Sequence, residues 1–148
     1  DGSLLRHASP HGQSGNGFIN AAGACGLMAR FNWQGNKTWE FAYDSPEPLA
    51  HHDFEVMPNG DILMLERRYT RIAGPGMRIR RVAKESIVPG AVLDGEVLIE
   101  LGASSNIDNM EGISARPAPD GGVLIYVIAD DNQSAAEKTV LFEFELKE

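Results

Sequence analysis

The chain has 148 residues, 43% of them hydrophobic, enough for one globular domain with a core and too few for two large ones. Its formal net charge of −8 argues against a nucleic-acid partner, because phosphate backbones are gripped by clustered Lys and Arg. No apolar run approaches the roughly 20 residues a membrane helix needs.

The first 25 residues are rich in Gly, Ser and Asn and predict no element. The opening Asp1-Gly2-Ser3 has neither an initiator Met nor a basic leader and reads as a processed or excised piece. His7, His11, Ser9 and Ser14 form no motif there, since a strained Gly-x-Ser-x-Gly elbow is missing. The single cysteine, Cys25, cannot form an intrachain disulfide, and its small apolar neighbours give a buried, inert thiol. Strands at Leu27 to Trp33 and Thr38 to Tyr43 flank Gln34-Gly35-Asn36-Lys37, a hairpin turn, with Trp33 and Trp39 expected to pack across it. A strand from Asp53 to Met57 enters the turn Pro58-Asn59-Gly60-Asp61, followed by Ile62 to Glu66. Met77 to Ile87 alternates Arg with Ile and Val, as a half-exposed strand does. Glu96 to Leu101, the apolar run Gly122 to Ile128 and the alternating Thr139 to Leu146 complete the set. No segment keeps helical spacing for three turns, so the fold class is all-β.

An internal repeat organises these strands. The pattern of strand, Pro-Asx-Gly turn, apolar strand ending in an acid, polar loop and third strand begins at Asp53 and recurs at Glu111, about 60 residues later. Such antiparallel meanders, with a fourth outer strand from a segment such as Glu96 to Leu101, are the blades of a β-propeller. The chain is then a single domain, 1–148, with a hairpin at 26–50, one blade at 51–101 and another at 108–148. Roughly two and a half blades cannot close, since propellers need about four to eight. A second polypeptide, another copy or an amino-terminal half, is expected to complete the ring, leaving exposed apolar strand faces on the isolated chain.

Chemistry concentrates at strand ends. Asp108-Asn109-Met110-Glu111-Gly112 and Ala129-Asp130-Asp131-Asn132 flank the apolar run and present oxygen ligands fit for calcium or for acid/base work on an ester. Glu111 either ligates a cation or acts as general base, or else fixes the blade through backbone amides. Asp108 and Asn109 suit an Asx-turn, and Asn132 a left-handed turn. Glu66 beside Arg67 forms an ion pair or a catalytic pair. His51 and His52 point to opposite faces of a strand and cannot readily hold one ion together. The basic cluster Arg67, Arg68, Arg71, Arg78, Arg80 and Arg81 guards a solvated hairpin edge or binds an anion.

Phe54-Glu-Val-Met-Pro-Asn-Gly-Asp-Ile-Leu-Met-Leu-Glu-Arg-Arg68, Arg78-Ile-Arg-Arg81, Asp108-Asn-Met-Glu-Gly-Ile113, Asp130-Asp-Asn132 and Thr139-Val-Leu-Phe-Glu-Phe144 together resemble the bacterial phytase-like family, described by esterase-like activity of the phytase type. The resemblance covers about residues 50 to 146, with 26–43 following the family less well. It implies the carboxy-terminal half of a secreted or periplasmic propeller that hydrolyses phosphate or carboxylate esters. In that reading Glu111, Asp130 and Glu66 are catalytic, and Arg67, Asn132 and His52 contact substrate. Asp108, Glu111, Asp130 and Asp131 hold calcium. A non-catalytic propeller that binds a partner is the alternative.

Overall fold

The computed structural model describes residues 4–8, 27–42, 49–70, 74–88 and 95–147. Ten strands form three antiparallel sheets and no α-helix occurs among the described residues. The first sheet contains β1 (Leu4–Ala8), β2 (Leu27–Phe31) and β3 (Lys37–Ala42). The second contains β4 (Leu49–Val56), β5 (Ile62–Thr70), β6 (Gly74–Val82) and β7 (Glu96–Leu101), side by side in chain order. The third contains β8 (Gly112–Pro117), β9 (Val123–Ala129) and β10 (Val140–Leu146), again as a meander. None of the sheets closes on itself, so the arrangement is that of an incomplete propeller.

One turn chemistry recurs in all three sheets. Asn32, Met57 and Ala118 each donate a backbone N–H to the carbonyl of the residue four ahead, at 3.0, 2.8 and 2.8 Å. Gly35, Gly60 and Gly121 each donate back to that first residue's carbonyl, with φ of 80°, 92° and 97°. Three-residue hairpin loops need one left-handed residue before the second strand, and glycine adopts it without a Cβ clash. The repeat seen as Pro58-Asn59-Gly60 and Pro119-Asp120-Gly121 is therefore geometric as well as sequential.

Period-two alternation sets the layers. On the second sheet Leu63, Leu65, Met77 and Ile79 point to one side, where they pack with Ile113, Ile125, Val127 and Ala129 of the third sheet. Leu63, Ile79 and Val127 are 0% exposed, and burying each such side chain contributes about 1.5–3 kcal/mol. The opposite side of the second sheet carries Ile62, Met64 and Val82, which pack with Met28 and with the partly buried Trp39. The second sheet is thus enclosed by the other two, as a propeller blade is by its neighbours. β7 is the fourth, outer strand on β6, where the sequence placed it.

Several expectations change. β1 arises where no element was read. The strand expected to reach Ile87 stops at Val82, because Lys84–Ser86 forms a 3₁₀ turn. Trp39 packs, but Trp33 is 81% exposed on the turn and packs across nothing. The arginines of β6 are neither a solvated edge nor a free anion patch. Arg80 is buried on Glu66 at 2.9 Å, Arg78 holds Glu100 at 2.7 Å, and Arg81 holds Asp61 at 2.7 Å. Cys25, His11, Ser9, Ser14 and Arg71 lie outside the described residues.

Candidate active site

Successive antiparallel strands put their connections alternately at the two ends of the sheets. The β7–β8 connector, 102–111, and the β9–β10 loop, 130–139, consequently share one end, opposite the Gly60 and Gly121 turns. Ile107 and Met110 sink into the core and pin the connector. Asp108 and Asn109, between them, stay half-buried. The Asp108 carboxylate accepts the Asn109 N–H at 2.8 Å and, across to the other loop, the Lys138 N–H at 2.9 Å. The Asn109 side-chain amide donates to Glu111 Oε1 at 2.7 Å, while its own Oδ1 is buried without a hydrogen-bond partner. The Glu111 N–H donates to the Ile128 carbonyl at 2.8 Å, which fixes Glu111 beside the end of β9, where Asp130 begins the loop.

Asp130 and Asp131 are exposed and close Asx-turns: their Oδ1 atoms accept the N–H groups of Asn132 at 3.1 Å and Gln133 at 3.0 Å. Asn132 adopts the left-handed conformation expected of it, φ 46°, and donates its side-chain amide to Glu137 at 2.8 Å. The structure thus brings Asp108, Glu111, Asp130, Asp131 and Asn132 to one end of the third sheet. Among the described residues, however, no three His, Cys, Asp or Glu side chains gather so as to hold a metal ion. Each Asp108 oxygen accepts one backbone amide.

Glu66 does not join this group. It is 0% exposed, paired with Arg80 at 2.9 Å and lying 3.9 Å from Arg78, so a solvent-borne substrate does not reach it. Among the described side chains, Glu66 forms a buried ion pair with Arg80 from the neighbouring strand. For Arg67 and His52 the described structure is their backbone: Arg67 lies opposite Leu49 and Met77, and His52 lies in the irregular stretch of β4 between Ala50 and Phe54.

Asp53 is the residue the sequence did not single out as a site. β4 runs alongside β8, and Asp53 Oδ2 accepts the N–H of Ile113 from the neighbouring sheet at 3.0 Å. Its Oδ1 accepts the N–H of Phe54 at 2.9 Å. This carboxylate ties the first strands of the two blades together. A Cβ on Gly112 would sit 3.0 Å from the Ile128 side chain and 3.8 Å from Asp53 Oδ2, so bare backbone there permits the close approach. Glu55, two residues along, has its carboxyl pushed up, first by burial and then by the charge of Asp53.

At the opposite end a polar groove of about 520 Å³ is lined by Asn59, Asp61, Arg81, Lys84, Gly95 and Glu96, among others. Burial works to raise the Asp61 carboxyl, but hydrogen bonds from the Lys84 N–H, Arg81 and Asn59, with the Arg81 charge, outweigh it and hold it below its ordinary value. Lys84 Nζ donates to the Asn59 carbonyl at 3.0 Å, so the groove's basic groups already serve its own turns. No helix among the described residues is long and apolar enough to cross a membrane.

Comparison with known proteins agrees with the fold. The sequence profile of the phytase-like family, described as esterase-like activity of phytase, matches residues 10–133. The match begins far upstream of the motifs read from the sequence and takes in residues 26–43, which those motifs left out. No curated protein and no solved structure matches the chain. With most of its length covered by that profile, the chain belongs to the phytase-like family.

Proposed function

We propose that the protein hydrolyses an ester, with Glu111 as the general base. The supporting observation is the pair Asn109–Glu111. A half-buried carboxylate at the start of a rigid strand is held at 2.7 Å by an amide from a connector whose neighbours are locked in the core. Pre-positioning of this kind is what proton abstraction needs. Glu111 takes a proton from water as the water oxygen attacks the acyl carbon or phosphorus. The ester bond to the leaving alcohol then breaks, and the leaving oxygen receives the proton. Asp130 and Asn132 border the same water, and Arg67 and His52, carried by β5 and β4, are assigned to the substrate's anionic group. Calcium, which would polarise the ester and offset acidic repulsion, enters no step here because the described acids do not gather around a common point.

The second reading, a non-catalytic propeller that binds a partner, is favoured by Asp108, Asp130 and Asp131, whose carboxylates serve backbone amides. In either case a second polypeptide that completes the ring is part of the proposal, supported by the unclosed sheets and by Leu141 and Ile128, 65% and 47% exposed. A periplasmic or secreted location is proposed from the family resemblance, and cell fractionation tests it.

Hydrolysis of chromogenic phosphate and acetate esters distinguishes the two readings. The enzyme reading predicts turnover that falls about 10²–10⁴-fold in Glu111→Gln with the melting temperature unchanged. Turnover of neither ester above the blank, or a Glu111→Gln variant as active as the parent, would leave the binding reading.

A further inference from the structure

We propose that the outer edge of β10 receives a fourth strand from a partner polypeptide, an extended segment in which apolar residues alternate with Lys or Arg. This inference is independent of the catalytic reading. The second sheet supplies the internal precedent. Its third strand, β6, is covered by β7, and beneath that cover Met77 and Ile79 are 2% and 0% exposed. In the third sheet β10 is the equivalent third strand, and among the described residues nothing pairs with its outer edge. Its core-facing residues Val140, Phe142 and Phe144 remain half-buried although they pack on the same core, with the two phenylalanine rings stacked 6.1 Å apart. A fourth strand would cover them as β7 covers β6.

Charge selects the occupant. On the complete blade the third strand is basic and the fourth acidic: Arg78 lies opposite Glu100 and bonds it at 2.7 Å, and Arg81 lies opposite Glu96. On β10 the sign is reversed. Glu143 and Glu145 lie on the exposed face, between the core-facing aromatic residues, and Glu145 has Lys147, just past the strand, at 3.3 Å, where both remain in solvent. Residues directly opposite on one face interact, and like charges there repel. Pairing of β10 with β10 of a second copy would set glutamates against glutamates, so the edge favours a basic strand over itself. Antiparallel addition to a free sheet edge, with main-chain bonds for affinity and alternate side chains for selection, is an established mode of peptide recognition.

The test uses the 148-residue chain with two fluorescein-labelled hexapeptides, Lys-Val-Lys-Val-Lys-Val and Glu-Val-Glu-Val-Glu-Val, read by anisotropy and by amide exchange at 140–146. The basic peptide is expected to bind roughly tenfold or more tightly than the acidic one, and to slow exchange at the β10 amides not bonded to β9. Glu143→Lys with Glu145→Lys should reverse the preference, while Glu85→Lys, a charge change of the same sign away from β10, should not. Failure of the basic peptide to bind, equal binding of both, an unreversed preference, or self-association that shuts out the peptide would each overturn the proposal.

Discussion

Removing the Glu66 carboxylate should be among the most damaging changes available in this protein. Glu66 is 0% exposed and Arg80 is 7% exposed, so Glu66→Ala removes the carboxylate that pairs with a buried guanidinium. Arg80 keeps its bond to the Gly95 carbonyl, and Arg78 keeps Glu100 at 2.7 Å. Breaking a buried pair from one side costs about 3–5 kcal/mol, against roughly 5–15 kcal/mol for the whole stability of an ordinary domain. For a chain of this size each kcal/mol lowers the melting temperature by about 2–4 °C, which gives a fall of about 6–20 °C. The double variant Glu66→Leu with Arg80→Met removes both charges and should recover most of that loss, because apolar replacement of a buried pair is close to neutral. Calorimetry together with urea titration reads both variants. A single variant within about 1 kcal/mol of the parent would refute the buried-pair assignment. So would a double variant no better than the single.

Three further outcomes follow from the same geometry. Asp61→Asn should destabilise by about 2 kcal/mol at pH 7, since a charged acceptor of three hydrogen bonds is lost. Because the folded state holds this carboxyl below its unfolded value of about 3.9, its stabilisation is present above that pH and is lost as pH falls through the folded value. Denaturation curves for parent and variant should therefore converge below about pH 4. Glu55 is the opposite case: its raised carboxyl makes the charged form a cost of folding, so Glu55→Gln should raise the melting temperature at pH 7 and lose that gain in acid. Gly121→Ala, at φ 97° with open space around the new Cβ, should cost about 1–2 kcal/mol from backbone strain alone. Gly102→Ala, with equal space and an ordinary backbone, should be near neutral in the same melting assay.

What could be read from the sequence was what rests on local chemistry. The alternation of β10 appears in its burial, and Asn-Gly and Asp-Gly turns appeared where their left-handed glycines are required. Strand pairing was harder. The pairing of Glu66 with Arg80 was not read, because a cross-strand partner depends on a register that a lone sequence does not reveal. Irregularities at Ala50/Phe54 in β4 and at Ile79/Arg80 in β6 shift that register further. The candidate site was half visible. Acids at strand ends were apparent, but the commitment of Asp108 to Lys138, thirty residues away, came from the meeting of two loops. Asp53 was overlooked because its partner is a backbone N–H, which has no sequence signature.

Amide exchange at Ile113 tests most directly whether the two repeats stand side by side. With its N–H held by Asp53 across the gap between β4 and β8, that amide should exchange slowly in the parent. In Asp53→Ala it should exchange at least tenfold faster, while amides bonded between β9 and β10 stay protected. Unchanged exchange at Ile113 in the variant would mean that the first strands of the two blades do not meet there, and the placement of Glu111 would lose its support.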